Sequence, residues 1–447
     1  MNATARDPTA CPEFTPDFTH VLSIVKWNCL GFLFIDFLIP FVVSAEIQAS
    51  MLSLGLVVSF GTAGHVLGSP FAGYLADRVS KRKLVMAGAW GRGSAYFIMY
   101  LAIALQAALG AGGALAWLMA SEFMLGLMVS FFWVPINTII SDKSAKQCRS
   151  LAFGKRQYYK GIGLVIGTTI GIAIFAASNV LIPANFPFKS FFPHASLLIF
   201  GLANIIAGIS FYKNVDDSLV YESKHDPGRS LVLVAPDASQ ARQRDIAFMK
   251  RVPASLVVGF SVLMIAVFGT QLNEAITKPF VRVYVLELIE PNPNLAVLGF
   301  VPGTLVSLFL APKLGELADR INPAKGITVI CTLGGVATWL LINARNLWLF
   351  IPIHTLDATL ALTTGLIIDN VLSRVSKVHR GKLFGMKMLA GNLGEMSAPI
   401  IGGILYDTVS AQAPFIFSIF VEWSLIMLYV VVLFLVKRQL AESFDHP

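Results

Sequence analysis

The stretch GYLADRVSKRKLVMAG, Gly73 to Gly88, decides the fold. An apolar helix end runs into an Asp-Arg pair, three more cations follow, and apolar residues resume at Leu84. The stretch GELADRINPAKGITVI, Gly315 to Ile330, nearly repeats it. A charged knot between two greasy segments, met twice in one chain, reads as a short loop at a membrane face in an internally repeated protein.

Composition supports a membrane chain. The 447 residues are 55% hydrophobic and 13% charged, against about 25% charged in a soluble globular chain. The net charge of +8 does not point to nucleic acid, because the cations lie in short loops between apolar runs and act as topology determinants. Cys11, Cys29, Cys148 and Cys331 are scattered and form no CxxC or Cys/His cluster, so neither a disulfide framework nor a zinc site is implied. The polar first nineteen residues do not resemble a cleavable signal, and the first apolar run reads as a retained helix.

Runs of about 20 apolar residues, the length of a membrane helix, fall at roughly 20–43, 51–76, 84–108, 115–140, 156–182 and 194–212. A second set falls at roughly 254–286, 295–314, 326–343, 347–370, 383–407 and 414–436. The expected organisation is an N-terminal tail (1–19), a six-helix bundle (20–212), a polar linker (213–252), a second bundle (253–438) and a C-terminal tail (439–447). Lys and Arg concentrate in the loops that share a side with the N-terminus, the linker and the C-terminus. By the positive-inside rule all three are cytoplasmic.

The halves match elsewhere too. RSLAFG (Arg149 to Gly154) opens the fifth span and RGKLFG (Arg380 to Gly385) the eleventh, each after an acid, Asp142 or Asp369. Gly73, Leu75, Ala76, Asp77, Arg78, Lys81 and Arg82 resemble the loop signature of the major facilitator superfamily, with Ser80 where that family usually has Gly. Gly315, Leu317, Ala318, Asp319 and Arg320 are its second copy. SAPIIGGILYD (Ser397 to Asp407) resembles the Pro/Gly element of the drug–proton antiporter branch, and the fifth span keeps Gly163, Gly167 and Gly171 without the proline. The resemblance implies an all-α fold of twelve transmembrane helices in two six-helix pseudo-repeats. It also implies alternating access, with a conformational gate built from Gly73, Asp77, Arg78, Lys81, Arg82, Asp142, Arg149, Asp319, Arg320, Asp369 and Arg380. The expected latch joins Asp77 to Arg149 or the nearby cations.

Ionisable groups inside spans are costly and are functional candidates by default. They are Asp36, Arg92, Glu122, Glu274, Lys278, Asp357, Glu395 and Glu422. In the fold implied by the resemblance, spans one, four, seven and ten line a central cavity, and each carries one acid: Asp36, Glu122, Glu274 and Asp357. Four carboxylates around one cavity cannot all stay ionised cheaply, which suits exchange of protons for a cation. Glu395, one turn before Pro399, is a candidate relay, and Arg92 is expected to neutralise a neighbouring acid, with an anionic substrate group as the alternative. Asn28, Asn137 and Asn273 add polar cavity groups, and Trp27, Trp133 and Tyr158 are aromatic platforms for an organic cation. His354, one turn before Asp357, is the one candidate metal ligand and permits a transition-metal reading.

The chain has no phosphate-binding GxxxxGK[ST], no nucleophile elbow and no HExxH. Neither ATP hydrolysis nor another enzymatic activity is expected, and no cofactor is called for. The leading expectation is a monomeric, proton-coupled carrier of a small solute, an organic cation, exported across a cytoplasmic (inner) membrane. The alternatives are a transition-metal (for example iron) carrier on the same fold and a non-transporting receptor or assembly factor.

Overall fold

The computed structural model describes residues 14–76, 78–144, 149–182, 191–219, 254–375 and 380–437. Asp77 therefore lies outside the described residues, as do the side chains of Arg149, Asp319, Arg320, Asp369 and Arg380.

The apolar runs fold as helices, since a bilayer leaves backbone groups no partner but their own segment. The first span is broken into α1 (Phe18–Asn28), α2 (Phe32–Phe41) and a π-helical turn (Val42–Glu46). Pro40 cannot donate in the ladder, and the Ser44 hydroxyl donates to its carbonyl at 2.7 Å. Next come α3 (Met51–Ala76), α4 (Lys81–Ala104), α5 (Gln106–Asp142), α6 (Arg149–Leu181) and α7 (Ser196–Asn214). A kink inside α5 falls at Gly110, whose φ of 68° favours glycine. The second half runs through α8 (Ala254–Thr277), α9 (Phe280–Leu288), α10 (Pro293–Leu298), α11 (Val301–Arg320), α12 (Pro323–Ile342), α13 (Leu347–Val375), α14 (Arg380–Thr408) and α15 (Ala413–Lys437). Pro279 separates α8 from α9 within the seventh span.

The chain divides into two compact units, Met1–Ala49 with Phe60–His225, and Ser50–Ser59 with Asp226–Pro447. The first turns of α3 join the second unit because glycines let backbones meet. A Cβ on Gly55 would fall 2.1 Å from the Pro399 carbonyl oxygen, and one on Gly403 2.5 Å from that of Met51. Asp407 accepts from the first N–H groups of α3, Met51 at 2.9 Å and Leu52 at 2.8 Å, which satisfies donors a helix start leaves open.

Close helix contacts also show the repeat. In the first unit Gly163 and Gly167 on α6 lie against the carbonyls of Lys26 and Leu30, and Gly171 lies against the Phe34 ring. In the second unit Gly394 and Gly402 on α14 lie against the carbonyls of Phe268 and Ile276 on α8. Span five on span one and span eleven on span seven thus use one small-residue device, in which missing side chains let backbones approach closely.

Candidate functional site

In the first unit, α2 carries Asp36 and α5 carries Glu122, both half-buried, and the Asp36 carboxyl acts electrostatically on Glu122. Room for the Glu122 carboxylate comes from α3, since a Cβ on Gly61 would stand 2.7 Å from its Oε2. These two acids lie within electrostatic reach of each other. Arg92 is placed differently. It is fully buried, and its guanidinium donates to Asn28 Oδ1 and to the Tyr96 hydroxyl at 3.1 Å, while lying 4.1 Å from the Phe32 ring. Asn28 in turn donates to Asn204, which caps the Phe200 carbonyl at 2.8 Å. No carboxylate enters these hydrogen bonds, so Arg92 is held by neutral amides and a phenol where an acid was expected. Trp27 also departs from the expected cavity. It lines a groove of about 510 Å³ between α1 and α7, with the Lys26 ammonium 4.7 Å over its ring. Asn137 accepts from Arg156 on α6.

The second unit encloses a small polar cavity of about 90 Å³ among α8, α12, α13 and α15. Glu274, Asp357 and Glu422 all line it, with Thr270, Asn273, Thr338, Thr364 and Ser418. The Thr338 hydroxyl lies 3.5 Å from Asp357 Oδ1, and Ser418 donates to Asn273 Oδ1 at 2.8 Å. Glu422 was legible as an intramembrane acid but not as a cavity group, because it lies on span twelve. Its clue is a glycine on another helix: a Cβ on Gly334 would fall 2.1 Å from Glu422 Oε1. Glu395 is half-buried on α14 and acts electrostatically on Glu274, as do Lys278 and Lys387. His354 packs its ring 5.2 Å from Phe350 and 5.1 Å from Phe300. Among the described residues no three His, Cys, Asp or Glu side chains gather to hold a metal ion.

The loop of the first unit that was expected to form a gate is held by charges and backbone together. Lys81 pairs with Asp142 at 2.6 Å. Ser80 caps α4 by accepting from Lys83 N–H, and its hydroxyl meets Asp217 at 2.5 Å. The departure from glycine at this position therefore has a structural use. Arg82 donates its backbone N–H to Asp217 and its side chain to the Val215 carbonyl at 3.2 Å. Arg78 stacks 4.0 Å over the Tyr74 ring, and a Cβ at Gly73 would meet nothing within 4 Å. Sequence reasoning missed the neighbouring clasp. Lys143, 2% exposed, pairs with Asp17 at 2.6 Å and also donates to the carbonyls of Asp216 and Leu219. Burial alone would raise the Asp17 carboxyl, but hydrogen bonds from Lys143, Thr15 and the Asp216 N–H outweigh it and hold it below its ordinary value.

The sequence matches the Major Facilitator Superfamily over residues 23–371 and 263–445, a pair of overlapping matches that spans both helix sets. The chain belongs to the major facilitator superfamily. It is an all-helical, multi-pass membrane transporter of the fold whose norm is twelve spans in two pseudo-repeats, not an enzyme. Among its relatives, Multidrug resistance protein 1 of Bacillus subtilis (strain 168) is 20% identical over 409 residues, covering 89% of this chain and 92% of the other. Multidrug resistance protein MdtG of Escherichia coli O9:H4 (strain HS) is 24% identical over 373 residues, covering 81% and 80%. A bacterial homolog of the human lysosomal transporter Spinster, solved inward-facing and unoccupied, matches with a TM-score of 0.67 at 14% identity over 95% of this chain and 96% of that one. A structure addressing substrate recognition in proton-dependent oligopeptide transporters matches with a TM-score of 0.68 at 14% identity over 95% and 100%. At these identities the structural matches bear on the fold alone.

Proposed function

We propose that this superfamily member is a proton-coupled carrier that exports small organic solutes, cations among them, by alternating access across the cytoplasmic membrane, with both termini on the cytoplasmic side. The observation that carries the reading is the placement of intramembrane acids in two groups, Asp36 with Glu122 in the first unit and Glu274, Asp357 and Glu422 around the polar cavity of the second. A carboxylate in a low-dielectric surrounding needs a proton or another positive charge. A cationic cargo and a proton therefore compete for the same negative groups, and that competition is the coupling. The names of the two multidrug resistance relatives support export of organic compounds. The metal reading has less behind it, because His354 is walled by phenylalanines and no acid cluster joins it among the described residues.

The testing experiment is proton flux in proteoliposomes loaded with a pH-sensitive dye, challenged with organic cations and with divalent metals. Organic cations should drive proton movement in the wild-type protein, and Asp36→Asn should lose it. Flux with metals alone would replace the proposal with the metal reading. No flux with either class would remove the role given to the acids.

A further inference from the structure

Two cations of the first unit have no ion-pair partner among the described residues. Arg156 and Lys160 stand one turn apart on α6, a spacing that puts like charges on one helix face and destabilises the helix. They stand at the start of the fifth span, Arg156 at its expected first residue and Lys160 one turn, about 6 Å, further along the helix. Both address one indole. The Arg156 guanidinium is 5.7 Å and the Lys160 ammonium 5.8 Å from the Trp133 ring centre. Arg156 also donates to Asn137, one turn from Trp133 on α5, while its Nε is buried without a hydrogen-bond partner. Among the described residues neither cation enters an ion pair. Among the described residues the titratable group that acts on Arg156 is the Cys29 thiol.

Two cations on one indole, with no ion pair to either among the described residues, are a poor resting arrangement. A cation–π contact that water reaches is weak, and a charge held at a span without an anion costs more than such a contact returns. A carboxylate or sulfonate would satisfy both cations and the free Nε, since a guanidinium presents several donors in a planar fork to such groups. We propose that Arg156, Lys160, Trp133 and Asn137 form a receiving site for the anionic group of an aromatic organic compound, whose ring rests on Trp133. Its transport role rests on the carrier reading above, and it widens the cargo from organic cations to organic anions and zwitterions.

The test is equilibrium binding by calorimetry to the full-length protein in detergent, using benzoate and naphthalene-2-sulfonate, with benzylammonium as the oppositely charged probe. The anions should bind and benzylammonium should not compete with them. Lys160→Gln and Arg156→Gln should each weaken anion binding at least tenfold, and Lys160→Arg should keep it. Lys160→Met should raise the melting midpoint of the ligand-free protein and abolish the stabilisation that benzoate gives, the opposite of what a merely structural lysine would do. No anion binding to the wild-type protein, or equal affinity in the glutamine variants, would overturn the site. Should the variants fail to fold, wild-type discrimination between benzoate and benzylammonium still decides. Organic-cation flux driven by a pH gradient, run on the same preparation, separates the two claims. Flux without anion binding removes the site and leaves the carrier; anion binding without flux of any cargo does the reverse.

Discussion

Alanine at Gly167 is the sharpest probe of how the first unit is held together. Its Cβ would fall 1.4 Å from the Leu30 carbonyl oxygen, where ordinary contact starts at 3.4 Å. Because the obstacle is backbone, no side chain can swing aside, and α6 must retreat from the first span by about 2 Å locally. Overpacking of this kind costs about 1–3 kcal/mol. The retreat also loosens the neighbouring contacts at Gly163 and Gly171, so the upper end of that range applies. For a unit of this size about 3 kcal/mol corresponds to a fall in melting midpoint of roughly 6–12 °C. Gly163→Ala, at 2.2 Å from the Lys26 carbonyl oxygen, should cost less. Gly154→Ala on the same helix meets nothing within 4 Å and should be neutral or gain up to about 1 kcal/mol from helix propensity. Thermal melting of the three purified variants in one detergent reads the order directly. Equal midpoints for Gly167→Ala and Gly154→Ala would refute the glycine-mediated packing.

Other perturbations have equally definite outcomes. Asp17→Asn leaves the Lys143 ammonium, 2% exposed, with two carbonyls and no counter-charge, and should cost about 3 kcal/mol by chemical or thermal unfolding. Since the folded Asp17 carboxyl sits below its ordinary value, the wild-type clasp contributes fully above the usual carboxylate range. That contribution should fade as pH falls through the folded value, and Asp17→Asn should flatten this acid limb of the melting profile. Asp407→Ala removes the acceptor for the first N–H groups of α3 and should cost about 1 kcal/mol; a midpoint unchanged from wild type would deny the cap. Glu422→Gln should cut proton-coupled flux at least tenfold while leaving the melting midpoint within a few degrees, and unchanged flux would exclude Glu422 from the coupling path.

The spans were readable because lipid demands long apolar runs, and the expected limits of the second span, 51–76, coincide with α3 (Met51–Ala76). Breaks inside spans were harder. Pro40 signals one, but whether the chain answers with a π-helical turn depends on Ser44 and the helices around it. The acids were visible as residue types, and the family resemblance grouped Asp36, Glu122, Glu274 and Asp357 by the spans that carry them. Glu422 could not be grouped so, since its partner surface is a bare glycine on α12. Arg92 shows the same limit in reverse: the residues that satisfy it, Asn28 and Tyr96, look like ordinary helix residues in sequence. Lys143 and Arg156 read as loop cations that set topology, and Lys160 drew no reading of its own. Only packing shows that one is buried in an ion pair and the others converge on a tryptophan.

The central claim is that protons and cargo compete for the intramembrane acids. The most direct test is proton release on cargo binding, measured in weakly buffered solution with the purified protein and an organic cation known to bind it. The account predicts protons released on saturation, fewer with Asp36→Asn or Glu122→Gln, and a cargo affinity that weakens as pH falls. Saturable cargo binding with no proton released, and with affinity independent of pH, would contradict it.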